Sequence, residues 1–216
     1  MKCFIIAMQK EADPLIEAMR NVTENSVYGK KVYSGTLFGS LTHVVVCGIG
    51  KVNAACGAQY AISELKAEEL INIGVAGGLN GSVKIGEIYA IEKAVQYDFD
   101  LAELNGTQIG TLDECKENYL PLSVDSDFPA RRLATGDRFN DSPSDYELLT
   151  NTLNADIRDM ECGAVAQVCM HAGIKFYAYK IISDIAKSGS TAEQYFKNLE
   201  LCFASLRKNL KKVVKL

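Results

Sequence analysis

Histidine is scarce in this sequence, and its cysteines show no pairing motif. With two histidines and no cluster of ligand-like residues, we expect neither a structural nor a catalytic metal ion. The seven cysteines form no CxxC pair and their number is odd, which favours reduced thiols in a cytoplasmic protein over a disulfide framework. No apolar run approaches the length of a membrane span. Zinc sites, disulfide scaffolds and membrane-spanning segments are therefore not predicted.

Positive charge is not in excess either. The net charge is −4, with 23 Lys and Arg against 27 Asp and Glu, so we expect neither nucleic acid nor a membrane as a partner. The apolar fraction of 48% and the charged fraction of 23% are those of an ordinary globular protein. A length of 216 residues suffices for one well-buried domain, and we predict a single domain over residues 1–216.

Apolar runs and helical patterns alternate along the chain. Continuous apolar runs predict strands buried on both faces, whereas apolar spacings of three and four predict helices. The predicted strands are 3–8, 30–48 (a hairpin with Gly39 and Ser40 at its turn), 69–81, 86–98, 132–135, 156–160 and 175–184. The predicted helices are 11–20, 51–66, 144–153, one from 161, and a last one with the apolar stripe Tyr195, Leu199, Cys202, Leu206, Leu210 and Val213. We predict an α/β fold of three layers, a mixed, mostly buried β-sheet flanked by helices, with a long irregular loop over 98–127.

Acids and glycines collect where the predicted strands end, which is where open α/β sheets bind their ligands. The segment GIGKVN does not match a dinucleotide fingerprint, because Asn53 replaces the third glycine, and Lys51 is followed by Val52 rather than by the Ser or Thr of a Walker loop. Tight turns explain each glycine segment alone. When GIGKVN is taken together with GVAGG, a second glycine-rich corner, a small-molecule pocket explains the glycines about as well as tight turns do.

Three acids stand at these strand ends: Glu11, Glu161 and Asp184. Helical spacing places Glu161 on the apolar face of the helix that it opens, and a carboxylate buried there is costly unless it is paired or used. For Glu11 and Asp184 taken singly, a helix cap or a solvated loop acid is the better explanation. Together, however, three acids suit a hydrolysis with a cationic transition state, in which one activates water, one holds hydroxyls and one protonates the leaving group.

The motifs resemble one known family in their order along the chain. IIAMQKEADPL, GIGKVNAA, INIGVAGGL, ATGDRF, DMECGAVAQVC and IISD follow the order of the 5'-methylthioadenosine/S-adenosylhomocysteine nucleosidases, which belong to the purine nucleoside phosphorylase and nucleosidase superfamily. The resemblance spans almost the whole chain. It implies a nucleoside phosphorylase-like fold, hydrolysis of the N-glycosidic bond of 5'-substituted adenosines to release adenine, no cofactor, and a homodimer.

The resemblance also implies a role for each matching residue. Glu11 would be the base for the attacking water, and Asp184 would donate a proton to N7 of the purine, oriented by Ser183. Met160 and Glu161 would hold the ribose. The other matching positions would stack on the base or line the ribose and base site, and these are Phe139, Ile49, Ala76 and Gly77.

Four positions and one segment depart from the familiar bacterial members of this family. Arg138 and Asn140 surround Phe139, where smaller or apolar residues are usual. Lys180 stands where they have arginine, and Val75 stands where they have serine. The segment that follows YDFD, residues 101–122, matches their substrate loop poorly. The resemblance therefore leaves the natural nucleoside and its 5' substituent open.

Two other functions stay open at this point. A phosphorylase on the same fold would use phosphate in place of water, which requires arginine or a dense cluster of donors. Before Arg131 the only arginine is Arg20, predicted on the first helix, so hydrolysis is favoured, although Arg138 argues the other way. A non-catalytic nucleoside-binding protein is the second alternative, and the retention of all three acids argues against it.

Overall fold

The fold is built on one mixed sheet, seen in a computed structural model that describes residues 1–139 and 141–214. Its strands are β1 (Lys2–Ile6), β2 (Arg20–Val27), β3 (Lys30–Leu37), β4 (Ser40–Val46), β5 (Glu69–Gly78), β6 (Ile88–Gln96), β7 (Leu120–Pro121), β8 (Ala130–Thr135), β9 (Ile157–Asp159) and β10 (Lys175–Ile185). The helices are α1 (Gln9–Ala18), α2 (Lys51–Ser63), α3 (Ala102–Asn105), α4 (Pro143–Glu147, continued by the π-helical Leu148–Thr152), α5 (Cys162–Ala172) and α6 (Thr191–Val214).

Half of the sheet closes on itself. Strand β5 pairs in parallel with β10, which pairs antiparallel with β6. The ring continues through β8 and β9, and β9 returns to β5. From β5 the sheet extends outward through β1, β4, β3 and β2. Strands β1, β5 and β10 run in parallel, so their carboxyl ends lie at one end of the sheet, whereas β8 and β9 run antiparallel to β5.

Helices cover both faces of the sheet, as predicted. On one face, Ala58 of α2 and Val165 of α5 belong to the same apolar cluster. On the other face, Leu15 of α1 packs in a cluster with Leu206 of α6. In the predicted stripe of α6, four residues are buried, namely Cys202, Leu206, Leu210 and Val213. The three-layer α/β prediction is confirmed.

The first helix ends earlier than predicted, and a strand follows it. Helix α1 ends at Ala18, and Arg20 is the first residue of β2. Nearly every side chain of β2 is exposed at the edge of the sheet, so the strand shows none of the apolar alternation that reveals a half-buried strand. The prediction that Arg20 lies on the first helix is therefore wrong.

One predicted turn is displaced by one residue, and one predicted loop contains two short elements. The turn of the β3–β4 hairpin consists of Phe38 and Gly39, both with positive φ, and Ser40 already belongs to β4. The segment between β6 and β8 is irregular, as predicted, apart from the four residues of α3 and the two of β7.

In the described part of the chain, no helix combines the length and the apolar character that crossing a membrane requires.

Candidate active site

A cavity of about 410 Å³ lies at the carboxyl ends of β1, β5 and β10. Its wall contains every residue that the sequence predicts for the site: Glu11, Ile49, Ala76, Gly77, Phe139, Met160, Glu161, Ser183 and Asp184. The predicted residues come from six separate segments of the chain, and the fold brings all of them together. The cavity is comparable in size to the pockets that bind small molecules.

Glu11 is held by two backbone N–H groups. Its Oε1 accepts a hydrogen bond from the N–H of Val75 at 2.8 Å, and its Oε2 accepts one from the N–H of Met8 at 3.1 Å. The second contact caps α1, so the capping explanation is correct in part, but the carboxylate also reaches β5 and lines the cavity. A Cβ at Gly74 would lie 2.9 Å from Oε1, so a glycine leaves the space for this carboxylate. Burial raises the pKa of Glu11, and the two N–H donors and Lys180 oppose that rise.

Glu161 is the residue directly before α5, and it is buried, as predicted. Its Oε1 accepts a hydrogen bond from the backbone N–H of Gly50 at 2.9 Å. Burial, together with the nearby carboxylate of Asp159, raises the pKa of Glu161 to about 7. The carboxylate therefore changes charge near neutral pH, in the wall of the cavity.

Asp184 lies at the carboxyl end of β10 with an exposed fraction of only 2%. A β-bulge between Ile182 and Asp184 interrupts the alternation of the strand, so that consecutive residues, Ser183 and Asp184, both line the cavity. The Ser183 hydroxyl donates to Asp184 Oδ2 at 2.6 Å. Asp184 Oδ1 is buried and accepts no hydrogen bond from the described residues. Burial raises the pKa of Asp184 above its ordinary value.

A buried ion pair anchors the start of α5. Lys180 Nζ lies 2.7 Å from Asp159 Oδ2, and both side chains are almost fully buried. The same oxygen accepts from the N–H of Cys162, while Asp159 Oδ1 accepts from the Thr135 hydroxyl at 2.5 Å. Burial lowers the pKa of Lys180, but Asp159, together with Cys162 and Glu161, raises it by more in total, and the amine stays cationic. The pair thereby positions the turn that carries Glu161.

The cavity also contains residues that sequence reasoning did not assign to the site. Tyr195 and Phe196, from the first turns of α6, form its roof together with Phe139. The Phe139 and Tyr195 rings meet edge to face with centroids 5.6 Å apart, and Tyr195 meets Phe196 in the same way at 5.2 Å. Arg158 of β9 lines the cavity too, and nothing in the local sequence marks it. The two consecutive aromatic residues Tyr195 and Phe196, shortly after the ISD segment, could have indicated this part of the cavity wall.

Comparison with known proteins decides the family. The family model described as "Phosphorylase superfamily" matches residues 2–216. A 5'-methylthioadenosine/S-adenosylhomocysteine nucleosidase of Halalkalibacterium halodurans is 31% identical over 193 residues, which cover 83% of each chain. The chain belongs to the 5'-methylthioadenosine/S-adenosylhomocysteine nucleosidase family of the phosphorylase superfamily.

Solved structures agree with this assignment. The nucleosidase of Neisseria meningitidis, determined in complex with methylthio-immucillin-A, is similar with a TM-score of 0.88 and 26% identity, covering 99% of this chain and 98% of that one. A futalosine hydrolase of Helicobacter pylori has the same fold, with a TM-score of 0.89 at 24% identity over 99% of this nucleosidase and 97% of the hydrolase. The predicted family, fold and enzyme class, an N-ribosyl purine nucleosidase, are confirmed.

Proposed function

We propose that this nucleosidase hydrolyses the N-glycosidic bond of 5'-substituted adenosines, such as 5'-methylthioadenosine or S-adenosylhomocysteine, and releases adenine without a cofactor. The observation that carries the proposal is that Glu11, Glu161 and Asp184 line one cavity, each buried and each held by different contacts. Such a set separates three tasks: activation of water, binding of the ribose and protonation of the base.

Glu11 is proposed as the general base. Two backbone N–H groups hold its carboxylate and favour its ionised form, which is the form that takes a proton from water. The same negative charge stabilises the ribosyl cation that develops as the base departs. Glu161 adds a second carboxylate for the ribose hydroxyls, next to Met160.

Asp184 is proposed as the acid that protonates N7. Adenine leaves poorly as an anion, so an acid whose pKa is raised assists its departure. Ser183 holds Oδ2, and Oδ1 remains for the purine. The base would stack on Phe139, which contacts Tyr195 edge to face. The last three predicted residues, Ile49, Ala76 and Gly77, would line the ribose and base site.

The surroundings of Glu11 favour water over phosphate as the nucleophile. The two N–H groups that could bind an anion are already used by the Glu11 carboxylate, which would repel phosphate. The cavity wall beside it is apolar, formed by Ala7, Met8 and Val75. Arg20 lies exposed on the edge strand β2, and no arginine of residues 1–130 lines the cavity. Arg138 lines it but forms an ion pair with Asp145 at 3.0 Å.

The decisive assay measures base release from 5'-methylthioadenosine, S-adenosylhomocysteine, adenosine and inosine, each with and without phosphate. We expect adenine and a free 5-substituted ribose, at a rate that phosphate does not change. Strict dependence on phosphate with a ribose 1-phosphate product would establish the phosphorylase instead. Binding of the nucleosides without turnover would establish a non-catalytic binding protein.

We further propose a cytoplasmic homodimer. All seven cysteines are free, which suits a reducing compartment. Ile49 at the cavity and Val52 on α2 are exposed apolar side chains close together in the chain, and a second subunit would cover them. Sedimentation equilibrium of the wild type and of Val52→Lys tests this, because a charge in a dimer interface should shift the protein towards the monomer.

A further inference from the structure

A guanidinium lies beside the carboxylate proposed as the general acid. Arg158 Nη2 is 4.0 Å from Asp184 Oδ1, the oxygen that accepts no hydrogen bond from the described residues. Both side chains pack over Gly77, where a Cβ would lie 2.9 Å from Asp184 Oδ1 and 3.0 Å from Arg158 Nε. The approach of the cation to the acid therefore depends on a glycine in the cavity wall.

The Arg158 side chain is held in this position from two further segments. Its Nη2 donates to the Thr191 hydroxyl at 3.1 Å, and Thr191 is the first residue of α6. The same nitrogen lies 3.7 Å from Asp141 Oδ1. Asp141 in turn accepts hydrogen bonds from both the N–H and the hydroxyl of Thr191. These contacts fix the guanidinium between the start of α6 and Asp184.

Few other groups near Asp184 carry charge. The titratable and charged side chains that face it are Arg158 from β9, Asp141 from the segment before α4, and Tyr195 and Cys202 from α6. Burial raises the pKa of Tyr195, and it raises the pKa of Cys202 to about 12, so both are neutral at physiological pH. Among the described residues, Arg158 is thus the cation that acts on Asp184, opposed by Asp141.

We propose that Arg158 is the positioning residue of the general acid, and that its guanidinium stabilises the carboxylate left on Asp184 when the proton passes to the purine. This inference rests on the proposed function, in which Asp184 is the donor. In that step the proton moves from Asp184 to N7, the C1'–N9 bond breaks with its electron pair going to the purine, and Asp184 becomes an anion. An opposite charge at this distance in a buried site stabilises the anion by more than it would in water.

The test compares Arg158→Met, which keeps the side-chain stem and removes the charge, with the conservative Arg158→Lys. Arg132→Met is the matched control, because Arg132 lies on the neighbouring strand β8 and also pairs with an aspartate, Asp156, but does not line the cavity. The first readout is the 13C signal of the Asp184 carboxyl during a pH titration, assigned by its loss in Asp184→Asn. The second is the pH profile of kcat and KM with 5'-methylthioadenosine.

In Arg158→Met we expect the titration midpoint of Asp184 and the basic limb of kcat to move up together by about one pH unit. Because Asp184 is then the weaker acid, kcat at its optimum should fall about tenfold, with KM nearly unchanged. Arg158→Lys should lie between this variant and the wild type, and Arg132→Met should match the wild type.

If the wild type is active and the titration midpoint of Asp184 is the same in the wild type and in Arg158→Met, the role of Arg158 is overturned. The nucleosidase function then stays intact. An equal shift in Arg132→Met overturns the role of Arg158 as well. If the wild type releases no base from any nucleoside while the midpoint still shifts, the function fails and the electrostatic coupling stands. The carboxyl titration needs no turnover, so the two failures are distinguishable.

Discussion

The backbone N–H of Gly50 donates to Oε1 of Glu161 across 111 residues of sequence. Gly50 has a φ of 96°, a conformation that favours glycine, and it directly precedes α2. The contact joins the starts of α2 and α5 around a buried carboxylate. It requires only an acceptor oxygen at Glu161, so the negative charge of that residue is not needed for the contact.

Glu161→Gln should therefore impair catalysis more than folding. Glutamine keeps the size of the side chain and an oxygen for Gly50, but it loses the charge beside the developing ribosyl cation. We expect a large fall in kcat with a modest change in KM. Steady-state kinetics together with thermal unfolding measures both effects. A variant that unfolds readily yet turns over normally while folded would show that Glu161 is a structural anchor only.

The difference in stability between Glu161→Gln and the wild type should depend on pH in a defined direction. Since the pKa of Glu161 rises from 4.5 to about 7 on folding, the folded protein binds its proton more tightly than the unfolded chain does. The contribution of Glu161 to the free energy of unfolding should accordingly fall as pH increases from about 4.5 to about 7. Glu161→Gln lacks this loss, so its Tm relative to wild type should increase across that window. A constant difference in Tm would contradict the assigned shift.

Asp184→Asn should abolish most turnover and leave the fold intact. The amide has the same shape and can still accept from Ser183, but it has no carboxyl proton for N7. Loss of general acid catalysis typically lowers kcat by ~10²- to 10⁴-fold. The measurement is kcat on an adenine nucleoside, with circular dichroism as the check on folding. Near-normal kcat would mean that Asp184 has a structural role alone.

Gly74→Ala should reduce activity although Gly74 itself does not touch the substrate. The new methyl group would lie 2.9 Å from Glu11 Oε1 and must displace that carboxylate. A displacement of about 1 Å in a catalytic group can cost ~10²-fold in rate. Gly81→Ala is the control, because a Cβ there meets nothing within 4 Å. Equal kcat values for the two variants would argue against a precise position for Glu11.

Lys180→Met should destabilise the protein strongly. The substitution leaves Asp159 buried without its cation, and breaking a buried pair in this way typically costs about 3–5 kcal/mol. Lys84→Met removes one partner of an exposed pair, Lys84 with Glu87, and should cost less than about 1 kcal/mol. Urea denaturation of both variants gives the comparison. Similar losses would show that the buried pair contributes no more than a surface pair.

Much of the site could be predicted because its residues belong to short local patterns. Buried strands require continuous apolar runs, and the acids and glycines directly after the parallel strands β1, β5 and β10 lie at the same end of the sheet. The edge strand β2 escaped prediction because its exposed side chains carry no apolar pattern. Arg158 escaped prediction because what marks it is its closeness in space to Asp184, which follows it by 26 positions in the chain. No sequence spacing indicates that closeness.

The sequence by itself determined the buried strands and the main helices, the three acids and the family, since each depends on residues that are neighbours in the chain. The tertiary structure alone decided that β10 pairs with both β5 and β6 and closes the ring. The pairing of β5 with β1 brings the N–H of Val75 to Glu11, and the pairing of β5 with β9 and β10 brings the guanidinium of Arg158 to Asp184. The charge and proton affinity of each acid depend on how deeply it is buried and on which donors reach it, and both are set by contacts between segments that are distant in sequence.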